Sequence, residues 1–283
     1  MAFPVVETTA TYESEAASSH DVPLPASIAS GDLLLMFFTI PAADITSGPS
    51  GWTGMAGNVA RASTFYREAD GTEGASATVT LSGGVRAAAI TYRISGADPN
   101  PESTISAVET SNPPEVTASW GIADNLYFVH LGTQAGDQSV TAPTGYGSTL
   151  TAGQTSSATS RCRLWVARRE LSAASDDPAT WTLNSGTLYP YAATVVVQPA
   201  VISTYIISGT VTNNATAVQG AEVAVLTDDE AGTVTLQEVV TTDVSGNWDA
   251  EILSGLTAHT MAWWDDAGTL YTAEARPLLT EDP

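Results

Sequence analysis

The chain alternates between short apolar bursts and clusters of Gly, Pro, Ser, Asn and Asp. "SGDLLLMFFTIPA" (30–42), "NLYFVHLG" (125–132), "RCRLWVARRE" (161–170) and "YAATVVVQP" (191–199) are apolar runs of strand length. "SATVTLSG" (76–83) alternates apolar and polar positions with period two. A continuous short run bounded by turn residues indicates a strand covered on both faces; strict alternation indicates one wet face. Few windows hold apolar residues at three-and-four spacing for ten or more positions. The pattern predicts an all-β protein, with the strand and turn spacing of an antiparallel sandwich or barrel.

The bursts recur in order. "SGDLLLMFFTIPA" is matched by "IADNLYFVHLGTQA" (122–135), and "GPSGWTG" by "APTGYGS", both of the form Pro-x-Gly-aromatic at Pro49–Trp52 and Pro143–Tyr146. "RASTFYRE" (61–68) is matched by "RCRLWVARRE", "ATVTLSGG" (77–84) by "ATWTLNSG" (179–186), and "AAAITYRI" (87–94) by "YAATVVVQ". The offset drifts from 92 at Asp32 and Asp124 to 104 at Ala87 and Tyr191, as loop insertions would produce. Two repeated halves, about 26–98 and 118–198, are therefore expected. Two half-units of about four strands each would form one large sandwich or two small ones; since a single half lacks enough strands to cover both faces of a core, one merged, jelly-roll-like sandwich over 1–200 is the preferred expectation. Asp32 and Asp124 each precede an apolar strand, where a carboxylate can bond nearby backbone N–H groups. Each Pro-x-Gly-aromatic segment is expected to be a turn whose ring caps an open end of the sandwich.

"VQPAVISTY" (197–205) reads as a linker. Beyond it "ISGTVT" and "AEVAVL" alternate, with turns expected at Asn213-Asn214 and at Asp243 to Asn247. A second, Ig-like or transthyretin-like sandwich is predicted over 201–283.

Composition narrows the partners. Nine basic residues, all arginine, stand against 31 acidic ones, a net charge of −22. Such a surface repels phosphate backbones and anionic membranes, so neither nucleic-acid binding nor membrane insertion is expected. No apolar run reaches the roughly 18 residues of a transmembrane helix. "MAFPVVETTATYESE" lacks the basic and apolar regions of a secretory signal, so delivery in a particle and release by lysis is expected instead. Cys162, the only cysteine, excludes an intrachain disulfide. Its strand-like setting predicts a buried, inert thiol.

The second unit resembles carboxypeptidase-regulatory-like domains in "SGTVT", "VQGAEVAVL", "TTDVSGNW" and "LYTAEARP", over about 205–279. That resemblance implies a non-catalytic add-on sandwich, found in secreted proteins and on tailed bacteriophages; the segment ending "ARPLL" is most like the phage forms. "LPASIASGDLLL", "PSGWT", "FYREADGTEG" and "ATVTLSGG" are similar to proteins of phage virion gene clusters, over about 1–200. Together they imply a structural protein on the virion surface, of the head-decoration or head-fibre (spike) type. A tail-associated fibre or receptor-binding protein is the alternative. The implied partners are other virion proteins, of the capsid or the tail, further copies of the chain, and host surface glycans.

No catalytic residues, metal ligands or cofactor site are expected. Gly-x-Ser-x-Gly, HExxH and the phosphate loop are absent. His20, His130 and His259 lack ligand spacing, and His130 inside a strand reads as a satisfied core histidine. The acids Asp176-Asp177, Asp228-Asp229-Glu230 and Asp265-Asp266 are adjacent, so on a strand they point to opposite faces and form no catalytic pair. "DVSGNWD" lacks the terminal Glu of a calcium loop and reads as the turn of the resembled domain. Trp263-Trp264 is the candidate glycan or interface contact, because one of two neighbouring rings on a strand can reach solvent.

Overall fold

The computed structural model describes residues 2–41, 44–55, 62–106, 109–134, 139–153, 162–184, 189–200, 204–213, 216–228, 234–253, 257–266 and 269–274. Every regular element among them is a β-strand. The chain divides into two compact units, Met1–Ala200 and Val201–Pro283, the division lying inside the expected linker.

The first unit contains β1 (Val5–Pro23), β2 (Leu33–Thr39), β3 (Ile45–Ser47), β4 (Thr53–Gly54), β5 (Ala62–Glu68), β6 (Ser76–Ser95), β7 (Glu102–Ile105) and β8 (Val116–Thr117). It continues with β9 (Ala123–Thr133), β10 (Val140–Thr141), β11 (Gly147–Gly153), β12 (Arg163–Ala173), β13 (Ser175–Asp176), β14 (Thr182–Leu183) and β15 (Tyr191–Val197). One antiparallel sheet has the order β1-β6-β2-β5-β4, with β3 on the early part of β6. The other has the order β7-β15-β9-β12-β11. These are the same arrangement written twice. The long strands β1 and β6 are interrupted in the second half, where the ladders β8–β13 and β10–β14 take the place of their far ends.

Strand pairing sets the register of the repeat. Leu33 lies between Ile94 and Glu68, and Leu126 between Val197 and Glu170. The match is therefore Leu33 with Leu126 and Asp32 with Asn125, one residue from the alignment through Asp32 and Asp124. A slip of one residue exchanges the two faces of a strand, so only this register keeps equivalent side chains in equivalent layers. It is supported by a repeated hydrogen bond: the Thr91 hydroxyl donates to Pro23 O at 2.8 Å, and its counterpart Thr194 donates to Pro114 O at 2.6 Å.

The two sheets share a core. Leu33, Leu35 and Phe37 of β2 and Ile90, Tyr92 and Ile94 of β6 meet Leu126 and Phe128 of β9, Leu164 and Val166 of β12, and Val195 and Val197 of β15. Intervening residues of the same strands face outward into separate clusters. These are built around Met36, Phe38, Phe65 and Val79 in the first half, and around Tyr127, Trp165 and Trp181 in the second. That is why β2 reads as an unbroken apolar run: all seven of its residues are buried. The halves thus merge through one central core, yet each also covers its own outer face with its short strands and loops. Phe37 and its counterpart His130 stack edge to face at 5.2 Å, and a Cβ on Gly132 would lie 2.5 Å from Oγ1 of its counterpart Thr39. Equivalent residues touch in this way next to a pseudo-two-fold axis, and Gly132 is needed for the approach.

The second unit contains β16 (Thr204–Thr210), β17 (Thr212–Asn213), β18 (Thr216–Ala217), β19 (Glu222–Asp228), β20 (Val234–Thr241), β21 (Asn247–Leu253), β22 (Thr257–Asp266) and β23 (Thr269–Glu274). Sheets β16–β21 and β20-β19-β22-β23 share a core that includes Ile207, Val223, Val225, Trp248 and Ala262. A Cβ on Gly209 would stand 2.8 Å from the Trp248 ring, so "SGT" needs its glycine for packing.

Candidate functional site

The residues singled out by the sequence are mostly engaged in holding the fold. Cys162 is buried and its thiol donates to Thr39 O at 3.0 Å; burial pushes its pKa up to about 12, which leaves it protonated and unreactive. His130 lies in the central core, but it is not the satisfied histidine expected. Neither ring nitrogen has a partner among the described residues, and burial lowers its pKa to about 4. His20 is also buried, with Nδ1 2.9 Å from the Ser14 hydroxyl, and desolvation lowers its pKa. The side chain of His259 lies outside the described residues.

Asp176 ends β13 and is buried, whereas Asp177, just beyond the strand, is exposed, so the two do not form a pair. Asp229 and Glu230, and the side chains of Asp228, Asp265 and Asp266, lie outside the described residues, as do Asn214 of the expected turn and the "ARPLL" segment. Asp243 accepts from the backbone N–H groups of Ser245 at 2.7 Å and Asn247 at 2.9 Å. The bond from Asn247, then that from Ser245, holds its carboxyl below the usual range. Gly246, at φ +74°, completes this turn, which is the one the domain resemblance implied.

Trp263 is half-buried on β22, and its indole N–H donates to Glu222 of the neighbouring β19. The backbone of Trp264 pairs with Tyr271, while its side chain lies outside the described residues. The two tryptophans are therefore neighbours on one strand, with the Trp263 N–H already engaged.

Each half carries the same polar clamp. Trp52 N–H donates to Pro49 O at 3.1 Å across Gly51 (φ +76°), and Tyr146 N–H to Pro143 O at 3.0 Å across Gly145 (φ +86°). Only glycine adopts such a φ cheaply in this tight turn. It also lets an arginine lie against the backbone: a Cβ would stand 3.2 Å from Arg67 Nη1 and 3.1 Å from Arg169 Nη1. Arg67 pairs with Glu73 at 3.2 Å and with Asp70 at 2.6 Å. Arg169 pairs with Asp176, which also accepts from the Tyr146 hydroxyl, and its guanidinium lies over the Tyr146 ring at 4.9 Å. The carboxylates of Glu73 and Asp176 are each 2% exposed. Before the strands, Asp32 accepts from Ala29 N–H at 2.7 Å and from Arg93 at 2.5 Å. In the second half its place is filled by Asn125, which accepts from the Trp120 indole at 3.0 Å. Asp124, expected in that role, instead accepts from the Ser172 hydroxyl further along the edge.

The halves also differ in how their outer layers are filled. Trp165 and Trp181 fill the outer layer of the second half; their counterparts in the first are Ser63 and Val79. Phe65, the counterpart of Ala167, places a ring in the first half where the second has none. A cleft of about 480 Å³ remains, walled by Ile45, Trp52, Ser63 and Phe65, with Asp44 and Thr46 on its rim. A second hollow of about 340 Å³ shares the Ser47–Pro49 and Trp52 wall and reaches Arg67 and Thr78. A Cβ on Gly48 would stand 2.7 Å from the Phe65 ring, so glycine there lets the Phe65 floor sit against the wall. The sequence did not announce this cleft, although the small-for-large replacements are visible once "ASTFYRE" is set against "RLWVARRE" in the observed register.

No known protein family, curated protein or solved structure matches the chain.

Proposed function

We propose that this is a non-enzymatic structural protein of the outer surface of a tailed-phage particle, of the head-decoration or head-fibre type. In this reading the first unit docks on the particle, in several copies, and the second is displayed. Its virion assignment rests on the phage-like motifs of both units. The observation that carries the non-catalytic part is the fate of the reactive side chains. Asp32, Glu73, Asp176 and Asp243 are consumed by turns and ion pairs, and Cys162 by a backbone carbonyl. Groups bound in this way stiffen a scaffold and are poorly placed to exchange protons with a substrate. In the first unit the two main sheets carry apolar clusters on both the inner and the outer side, so docking would use edges, loops and main-chain contacts.

Immunogold labelling and cryo-microscopy of particles from the encoding phage test the assignment. Density for the two units on the shell, lost when the gene is deleted, supports it. Label at the tail tip points to the receptor-binding reading, and label on no particle overturns both.

A further inference from the structure

We propose that the cleft of the first half binds a neutral pyranose sugar, with Trp52 as its stacking wall. The inference stands on the comparison of the two halves and is independent of where the protein resides.

At Ser63 the first half lacks the indole that the second half carries as Trp165. Trp165 packs in the second half where its counterpart Ser63 lines the cleft of the first, and Trp52 and Phe65 are the rings that line the cleft. The cleft therefore lies where an indole stands in the other half, and has room for one flat ring. A backbone that accommodates an indole in one half presents the same concave wall in the other.

The chemistry of the wall selects which ring. Trp52 and Phe65 offer apolar surfaces to the C–H face of a pyranose, and aromatic rings are suited to such an amphipathic partner. Asp44 and Thr46 bring a carboxylate and a hydroxyl to the edge, where sugar hydroxyls would lie. Asp44 is the one titratable residue among the described residues lining this cleft, so an anionic sugar would meet repulsion with no cation to offset it. Arg67, in the adjoining hollow, is already paired with Glu73 and Asp70. A neutral ring in the cleft with a second residue in the adjoining hollow fits a neutral oligosaccharide, and Trp52 forms the wall common to both. Trp263 and Trp264 of the second unit are not required.

The test is calorimetric titration of the full chain with hexamers of glucose (α1–4 and β1–4 linked) and of N-acetylglucosamine, with polygalacturonate as the anionic arm. One neutral hexamer is expected to bind with a millimolar or tighter Kd. Trp52→Ala should weaken it at least tenfold, and Ser63→Trp, which installs the second half's ring, should abolish it. Trp263→Ala should leave it unchanged. Thermal unfolding checks that each variant is folded. If neither cleft variant folds, hydrogen exchange of the unaltered protein decides: protection of 44–54 on adding the sugar supports the site, and unchanged exchange there overturns it. Binding of none of the neutral hexamers, preference for polygalacturonate, or an unchanged Kd in Ser63→Trp would each overturn the proposal.

Discussion

Replacing His130 by leucine should remove an acid sensitivity that the central core builds into the protein. The ring is fully enclosed beside Phe37, and its two nitrogens have no partner among the described residues. The fold therefore holds the neutral form, and burial brings the pKa down from 6.5 to about 4. The unfolded chain takes up this proton near pH 6.5, while the folded chain does not until about pH 4. Stability from this site is thus level above pH 6.5, falls as the pH drops through the interval, and levels off again below it. At about 1.4 kcal/mol per pH unit, the loss between pH 7.5 and pH 5 is about 2 kcal/mol, and about 3 kcal/mol once the site is fully titrated. His20 titrates over part of the same range, since its pKa is also lowered, and carboxylates enter at the acid end. The informative quantity is therefore the difference between parent and His130→Leu. Urea unfolding of both proteins at half-unit steps from pH 7.5 to 4.5 measures it. The variant should equal or exceed the parent at pH 7.5, because two unpaired buried polar atoms are removed. Its advantage should grow by about 2 kcal/mol by pH 5. Parallel curves, or a variant more than about 2 kcal/mol less stable at pH 7.5, would show that the imidazole is hydrogen-bonded after all and refute the reasoning.

Three other outcomes follow from the packing. Asp176→Asn should cost about 3 kcal/mol in chemical unfolding, because Arg169 loses a buried carboxylate partner; Asp177→Asn, on the exposed neighbour, should change stability by less than about 0.5 kcal/mol. Cys162 should resist an aromatic disulfide reagent in the native protein at pH 8 and react fully in denaturant, with absorbance as the readout, since its thiol is enclosed and held protonated. Gly246→Ala should destabilise the second unit by about 2 kcal/mol in thermal unfolding, because the turn needs φ +74° and a Cβ would stand 2.5 Å from Val211 O.

Local pattern alone determined which stretches are strands. The unbroken run of β2 and the alternation at 76–83 follow from the period of two, so the all-β class was legible without a fold. Recurrence of Pro-x-Gly-aromatic and of the apolar bursts revealed the duplication, because the same turn and the same layer demand the same residue types. Tertiary structure decided what depends on a partner strand. Whether Asp124 or Asn125 matches Asp32 is a matter of hydrogen-bond register, which sequence similarity leaves ambiguous by one position. That His130 has no hydrogen-bond partner among the described residues, and that Ser63 lines a cleft, depend on what packs against them from residues far away in the chain, and no local signal carries that information.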